Sequence, residues 1–284
     1  MRPLSALAAL AATTALFGSF AAVGQSVSAP ANERAMPAPA QARAPAEQAS
    51  AEARRRSGGG YLKEPLADSL VLSPPPPAPG SPAETRDLEG ARDALARRGT
   101  ARWRLAAQDA DLVGAGPAAF SCTAGVAIGP HATPKLNRLL RKALVDLGQS
   151  TSAIKAEYSR PRPFMVNGQP TCTPEAETAL RRNGSYPSGH SAAGFGWALI
   201  LAELKPERAG AIVARGRAFG DSRRICNVHW LSDVEEGRIA AAATVARLHA
   251  DPAFRADLDA ARAELAAVRT KPVGCEAEGA ALAG

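Results

Sequence analysis

Apolar and polar positions alternate with the period of amphipathic helices over most of the chain. From residue 84 onward, Ala, Leu, Arg and Glu dominate and runs of β-branched residues are few. The pattern predicts helices over 84–98, 101–113, 133–146, 150–159, 175–182, 189–204, 206–219, 231–248 and 252–268. Strand signals are sparse, so the predicted fold class is all-α, with a core of Ala- and Leu-rich helix faces.

Prolines mark two of these helix starts and one extended segment. Pro134 and Pro206 stand at predicted first helical positions, where a missing N–H costs no hydrogen bond. The run PPPPAPGSP at 74–82 is too rich in proline for a helix. It is predicted to lie extended over the surface.

The N-terminal part of the chain lacks the pattern of a folded domain. Arg2 and the uncharged apolar run at 4–23 predict a secretory signal peptide over 1–24, with an uncleaved membrane anchor as the alternative. Residues 25–57, rich in Ala, Pro, Gln and Arg, cannot bury enough apolar surface to fold and predict a disordered arm. One domain over 58–284, in the periplasm or secreted, is therefore expected.

The number and spacing of the cysteines are consistent with export. Cys122, Cys172, Cys226 and Cys275 show no C-x-x-C spacing, so no metal site is expected, and an even number in an oxidising compartment favours two disulfides. The sequence leaves three pairings open. We favour Cys122–Cys172 and Cys226–Cys275, each closing a loop of about 50 residues.

Net charge adds little to this picture. The chain carries +7, and the mature chain would carry +6, because Arg2 is the one charged residue of the predicted signal peptide. A moderate basic excess suits an anionic substrate but is also common on ordinary proteins. No nucleic-acid-binding motif occurs, so no nucleic-acid partner is expected.

Three short segments carry the candidate chemistry. They are KAEYSRPRP with Lys155 and Arg162, SYPSGHSAAG with Ser188, Gly189 and His190, and DSRRICNVHWLSD with Arg223, His229 and Asp233. Each has an ordinary alternative: basic residues at a helix end, a serine N-cap, a structural histidine or an exposed helical acid. It is their combination that indicates a function.

Five of these residues suit a phosphoryl group. The transition state of phosphoryl transfer spreads negative charge over three oxygens, which must be surrounded by cations and N–H donors. Lys155, Arg162 and Arg223 supply positive charge, two of them as guanidinium forks. Ser188 and Gly189 begin a predicted helix whose N terminus offers free N–H groups to an anion.

The remaining three residues suit a nucleophile and an acid. His229 and Asp233 are four residues apart and are predicted to share one helical turn, so the carboxylate can accept the Nδ1 proton and leave Nε2 as nucleophile. His190 would protonate the leaving alkoxide, which predicts a bell-shaped pH profile. The nearby cations should lower the pKa of both histidines, while Asp233 should raise the pKa of His229.

The spacing of these residues resembles the signature of the type 2 phosphatidic acid phosphatase superfamily. That signature reads Lys, six residues, Arg-Pro; then Pro-Ser-Gly-His; then Ser-Arg, five residues, His, three residues, Asp, and every position is matched. The chain further resembles the class A bacterial non-specific acid phosphatases in YLKEPLADSLVLSPPPPAPGS, RWRLAAQDADL and RPRPFMVNG. The resemblance covers roughly 58–268.

This resemblance implies an all-α helical bundle of the acid phosphatase and vanadium-dependent haloperoxidase type. It implies an exported enzyme that hydrolyses small phosphomonoesters through a phosphohistidine intermediate, with no cofactor and no metal. His229 would be the nucleophile, Asp233 its orienting partner and His190 the general acid. Phosphate would be held by Lys155, Arg162, Ser188, Gly189 and Arg223. Vanadate and phosphate are expected inhibitors, stable membrane insertion is not expected, and a homo-oligomer stays open.

Alternative functions also fit parts of the pattern. A nucleotide diphosphohydrolase or a vanadate-dependent peroxidase would use the same fold and anion-binding residues. A membrane-lipid phosphatase is disfavoured because no later segment is long and apolar enough to span a bilayer. A non-catalytic polyanion-binding protein has no use for the two histidines. Whether Glu157 and Tyr158 line the pocket stays open, and Trp197 and Trp230 are expected to pack.

Overall fold

The computed structural model describes residues 59–63 and 69–283, and all regular secondary structure within these ranges is helical, which confirms the all-α prediction. The predicted signal peptide (1–24) and arm (25–57) lie outside the described residues. The α-helices are α1 (Ser69–Leu72), α2 (Pro82–Leu95), α3 (Ala101–Gln108), α4 (Ser121–Ala124), α5 (Pro134–Gln149), α6 (Ser152–Tyr158), α7 (Pro163–Asn167), α8 (Glu177–Leu180), α9 (Gly189–Leu204), α10 (Ala209–Ile225), α11 (Leu231–Leu248), α12 (Pro252–Ala267) and α13 (Cys275–Ala283). Short 3-10 helices cover Gly116–Phe120, Pro174–Ala176 and Pro206–Arg208.

Most predicted helices are present, and two of them, α9 and α11, have the predicted bounds. The helix predicted over 101–113 is shorter and ends at Gln108. The carboxylate of Asp111 accepts hydrogen bonds from the N–H groups of Gly114 and Ala115, at 2.7 and 3.0 Å. These bonds hold the residues after α3 in a turn and replace the next helical turn.

Side-chain caps fix several helix starts. Ser81 caps α2 by accepting a hydrogen bond from the Glu84 N–H (3.2 Å), and Asp251 caps α12 by accepting one from the Phe254 N–H (2.9 Å). A proline occupies the first position of both helices. Each cap satisfies an N–H group that has no partner within the helix, so these starts are readable from sequence.

The proline-rich segment before α2 lies over the surface, as predicted, but Pro82, the last residue of the run, begins α2. Residues 74–78 form no helix and are largely exposed. The hydroxyl of Tyr186 donates to the carbonyl of Pro74 at 2.7 Å and holds this segment against the loop before α9.

Helix α9 lies at the centre of the molecule and packs against α5, α10 and α11. Trp197 is fully buried within it, against Phe120 and Phe219, and its Nε1 donates to the Leu140 carbonyl at 2.8 Å. A Cβ at Gly194 would lie 2.2 Å from the Phe219 ring, so α9 and α10 approach closely because that side chain is absent. Within the described ranges, no helix is both long and apolar enough to cross a membrane.

The four cysteines form two disulfides, but the favoured pairing was wrong. The bonds join Cys122 to Cys275 and Cys172 to Cys226, with Cα–Cα distances of 5.3 and 4.8 Å. Helix α13 folds back against α3 and brings Cys275 to Cys122 at the start of α4. Loop-closure entropy rises only slowly with loop length, so the folded path of the chain decides the pairing.

Candidate active site

The fold brings the three predicted segments together at the start of α9. All eight candidate residues lie in the first or last turn of a helix or directly beside one. They are Lys155 in the last turn of α6, Arg162 as N-cap of α7, Ser188 as N-cap of α9, Gly189 and His190 in its first turn, Arg223 in the last turn of α10, His229 before α11, and Asp233 in the first turn of α11.

The starts of α9 and α11 are joined directly. The backbone N–H of Ser188 donates to the backbone carbonyl of Asp233 at 2.8 Å. Gly237, one turn further along α11, lies against the same place, and a Cβ there would be 2.5 Å from the Ser188 carbonyl oxygen. Two helix N termini, each rich in free N–H groups, are thereby held side by side.

His229 lies before α11 and does not share a helical face with Asp233, which corrects the predicted geometry. Asn227 has a left-handed backbone (φ 61°) and turns the chain between α10 and α11. The Nδ1 of His229 lies 3.1 Å from Oδ2 of Asp233, and the Trp230 N–H donates to the same oxygen at 2.9 Å. Asp233 therefore caps α11 and holds the imidazole at once, and the four-residue spacing crosses the helix N terminus.

The protonation state of His229 follows from its two partners. Nη1 of Arg162 lies 2.9 Å from Nε2 of His229, and because a guanidinium can only donate, Nε2 accepts and the ring proton is on Nδ1. The imidazole is 2 % exposed. Burial, followed by the charges of Arg162 and Lys155, holds the pKa of His229 well below its usual value. The increase in the pKa of His229 that Asp233 was expected to cause is smaller than these decreases.

His190 has the opposite tautomer. Its Nε2 lies 3.0 Å from the carbonyl of Ala110, which can only accept, so Nε2 carries a proton and Nδ1 is the nitrogen that titrates. Burial lowers the pKa of His190 well below its usual value, and Arg223 and His229 lower it further. His190 is partly exposed, whereas His229 is buried, so the site opens on the side of His190.

Arg223 is buried, and within the described ranges two of its nitrogens have no hydrogen-bond acceptor. Its side chain is 2 % exposed, and neither Nε nor Nη1 has a hydrogen-bond partner among the described residues. Burial, followed by the charge of Arg162, lowers the pKa of Arg223 to about 9. A buried guanidinium without partners is costly, so an anion is the partner that this position suits best.

The other two cations are held by backbone carbonyls. Nζ of Lys155 donates to the carbonyls of Gly184 and Ser185 at 2.7 and 3.2 Å, and Nε of Arg162 donates to that of Leu180 at 2.9 Å. Burial, followed by the charge of Arg162, holds the pKa of Lys155 well below its usual value. Burial lowers the pKa of Arg162 to about 10. The segment before α9 thus positions both cations.

The charges at this site do not cancel. Four cations (Lys155, Arg160, Arg162 and Arg223) face two buried carboxylates (Asp87 and Asp233), so the local balance is 4 − 2 = +2 beside two neutral histidines. A dianionic phosphoryl group would bring this balance to zero. The site is therefore electrostatically suited to a phosphomonoester dianion.

Sequence reasoning missed Arg160. Its Nη1 donates to Oδ1 of Asp233 at 2.8 Å, and its Nη2 donates to Oδ2 of Asp87 in α2 at 2.7 Å. The available signal was the spacing to Arg162: two residues apart on an extended segment, the side chains point to the same side. The spacing alone assigns no function to Arg160, because it does not show that Asp87 and Asp233 are its partners.

Tyr158 does not belong to this group of residues. Together with Arg160, Trp230 and the proline-rich segment, it lines a separate groove of about 340 Å³. Its ring packs edge-on against Tyr186 with centroids 6.3 Å apart. Trp230 covers the guanidinium of Arg160, whose Cζ lies 5.3 Å from the ring centroid, so its packing role is as expected.

Comparison with known proteins agrees with this geometry. Residues 139–256 match the model of the PAP2 superfamily, a range that includes all eight candidate residues. The chain is 41% identical over 205 residues to an acid phosphatase of Zymomonas mobilis, covering 72% of this chain and 78% of that one. It is 43% identical over 207 residues to a non-specific acid phosphatase of Salmonella typhimurium (72% and 83% covered) and 42% identical over 212 residues to one of Providencia stuartii (74% and 86% covered).

Proposed function

The chain belongs to the PAP2 superfamily and to the bacterial acid phosphatases within it, and we propose that it hydrolyses small phosphomonoesters through a phosphohistidine intermediate. One observation carries this proposal. The unprotonated Nε2 of His229 lies in a buried site with an excess of positive charge, where Arg223 has two unpartnered donors. A nucleophile next to a set of oxyanion donors is what transfer of a phosphoryl group requires.

Substrate binding uses the charge excess. The phosphoryl oxygens take hydrogen bonds from Nε and Nη1 of Arg223, from Lys155 and from the N–H groups at the start of α9. Arg162 now donates to Nε2 of His229, and a phosphorus atom approaching that nitrogen takes this place. The guanidinium then donates to a phosphoryl oxygen, and the lone pair of His229 is free to react.

Nε2 of His229 then attacks phosphorus. The Nε2–P bond forms as the bond from phosphorus to the ester oxygen breaks. The negative charge of the bound ester favours protonation of His190, which takes up a proton from solvent at Nδ1 and gives it to the departing alkoxide. The phosphorylated imidazole is a cation that keeps its Nδ1 proton, and the carboxylate of Asp233 at 3.1 Å stabilises it. Nε2 of His190 donates a hydrogen bond to the carbonyl of Ala110, so Nδ1 is the ring nitrogen that gains and loses the catalytic proton.

Hydrolysis of the intermediate reverses the roles. Neutral His190 accepts a proton from water at Nδ1, the water oxygen attacks phosphorus, and the P–Nε2 bond breaks. Phosphate leaves and His229 returns to its starting tautomer. His190 ends protonated and returns that proton to solvent once the phosphate has left. No metal or other cofactor enters this sequence of steps.

We also propose that the protein is exported to the periplasm or the medium. The two disulfides support this, since such bonds persist in oxidising compartments. The apolar N-terminal run gives the export signal. Mass spectrometry of the protein purified from a periplasmic fraction tests it: the N terminus should lie near Gln25, and a cytoplasmic chain that begins at Met1 would contradict export.

The function is tested with a substrate panel and orthovanadate. We expect turnover of chromogenic phosphomonoesters that vanadate and phosphate inhibit, and we expect His229→Ala to abolish turnover without unfolding the protein. His131→Ala is the matched control, because His131 is exposed in a turn away from the site. Full turnover by His229→Ala would refute the mechanism. Halide oxidation that requires vanadate, or a preference for nucleoside diphosphates, would identify the alternative enzymes.

A further inference from the structure

The carboxylate of Asp233 is fully engaged. Oδ2 accepts from Nδ1 of His229 and from the Trp230 N–H, and Oδ1 accepts from Nη1 of Arg160 at 2.8 Å. The Asp233 side chain is 0 % exposed. Arg160 is therefore the cation in direct contact with the carboxylate that holds the nucleophile.

Arg160 is itself held from the opposite side. Its Nη2 donates to Asp87 at 2.7 Å, and the Asp87 side chain is 1 % exposed. Ser232 joins the same group: its N–H donates to Oδ1 of Asp87 (2.8 Å), its hydroxyl donates to Oδ2 (2.6 Å), and it accepts from Nη1 of Arg160 (2.8 Å). The ring of Trp230 covers the guanidinium. Arg160 is therefore fixed in orientation by α2 and by the first turn of α11.

Arg160 and Arg162 approach the same imidazole from its two nitrogens. Arg162 contacts Nε2 of His229 directly, and Arg160 reaches Nδ1 through the carboxylate of Asp233. The carbonyl of Pro161 between them accepts a hydrogen bond from Nε1 of Trp230 at 2.8 Å, which fixes the segment relative to α11. One short stretch of chain thus sets both partners of the nucleophile.

We propose that Arg160, held by Asp87, is a positioning residue that orients the Asp233 carboxylate and keeps it charged, so that Nε2 of His229 stays unprotonated and directed at the phosphoryl group. The inference rests on the proposed function. Burial raises the pKa of Asp233 and Arg160 is the strongest influence that lowers it, which agrees with this role. A role in folding alone would change the amount of active protein and leave the chemistry of each active site unaltered.

The test compares Arg160→Met, which removes the charge, with Arg160→Lys, which keeps it. We expect Arg160→Met to lower kcat by about 10- to 100-fold, the worth of one charge-assisted hydrogen bond, with KM and the inhibition constant of phosphate within about threefold of wild type. Without Arg160, Asp233 ionises at higher pH, so the acid limb of the kcat/KM profile should move to higher pH. Arg160→Lys should recover most of kcat and restore the acid limb of the kcat/KM profile to its wild-type pH.

Arg86→Met is the matched control. Arg86 also joins α2 to α11, through Glu235 at 3.0 Å, but it is 61% exposed and lies outside the site. It should match wild type in kcat and pH profile. The fraction of active sites, counted from the phosphoenzyme burst, corrects kcat for misfolded protein, and Asp87→Asn replaces Arg160→Met if that variant does not fold.

Two results separate this inference from the proposed function. If wild type turns over esters and folded Arg160→Met keeps both kcat and its acid limb, or if Arg160→Lys is as impaired as Arg160→Met, the positioning role is wrong and the phosphatase stands. If wild type shows no turnover, or His229→Ala keeps it, the proposed function fails and this inference fails with it.

Discussion

Replacing Arg223 with Met should have opposite effects on stability and on activity. The guanidinium is 2 % exposed, and its pKa falls from the usual value of an arginine to about 9, chiefly because burial disfavours the charged form. At about 1.4 kcal/mol per pKa unit, this fall corresponds to roughly 5 kcal/mol of destabilisation when no anion is bound. Because the folded pKa lies below the unfolded one, the destabilisation is fully present below pH 9.

Methionine keeps much of the side-chain length without the charge. Replacing buried charges with apolar groups of similar volume stabilises proteins by about 1–4 kcal/mol, so we expect Arg223→Met to raise the free energy of unfolding at pH 7 by that amount. Activity should fall. Loss of two charge-assisted hydrogen bonds at about 1.5–3 kcal/mol each predicts a decrease in kcat/KM of roughly 150- to 25,000-fold.

Urea unfolding with and without phosphate provides the assay, together with kcat/KM for a chromogenic ester. Phosphate at about 100 times its Kd should stabilise wild type by about 2.7 kcal/mol and Arg223→Met much less. Arg102→Met is the matched control, because Arg102 is buried but donates to the Ser222 hydroxyl and the Ala218 carbonyl at 2.9 and 2.8 Å. It should destabilise by about 1–3 kcal/mol. If Arg223→Met destabilises the empty protein as much as Arg102→Met, the reasoning is wrong.

Two further outcomes follow from the histidines. His190→Ala should lower kcat by about 100- to 10,000-fold for alkyl phosphates and far less for esters of acidic phenols, measured on a leaving-group series; equal losses across the series would exclude His190 as the acid. The pKa values of His190 and His229 lie well below 6.5, so the unfolded chain binds protons that the folded one does not as pH falls below 6.5. Each histidine should therefore reduce the free energy of unfolding by about 1.4 kcal/mol per pH unit until its folded pKa is reached. If the free energies of unfolding of wild type and His190→Ala change in parallel between pH 6.5 and 5, this expectation is wrong.

Local signals explain which helices were predictable. Helix α9 follows a serine cap and α12 follows an aspartate cap with a proline, and both have long apolar repeats. Helices α1, α4 and α7 have four or five residues, too few for a repeat to be read. The disulfide pairing could not be read because it depends on where α13 lies, and α13 is placed by contacts distant in sequence.

The candidate site was predictable as a set of residues but not as a geometry. The spacing to Asp233 identified the partner of His229, yet it did not show that the pair crosses a helix N terminus. The tautomer of His190 depends on a backbone carbonyl 80 residues away, which no local pattern reveals. Arg160 was missed for the same reason, since Asp87 gives it its role.

The hydrogen bond between Ser188 and Asp233 has a consequence for protein engineering, because it distinguishes residues that every substrate depends on from residues that can be varied. It ties the oxyanion-binding helix to the helix that holds the nucleophile, with Gly237 leaving no room for a side chain at the junction. The turn that carries Ala110 and contacts His190 is outside that junction. Substitutions in this turn would act through His190 and change how the rate depends on the leaving group, whereas substitutions at the junction would impair every substrate alike.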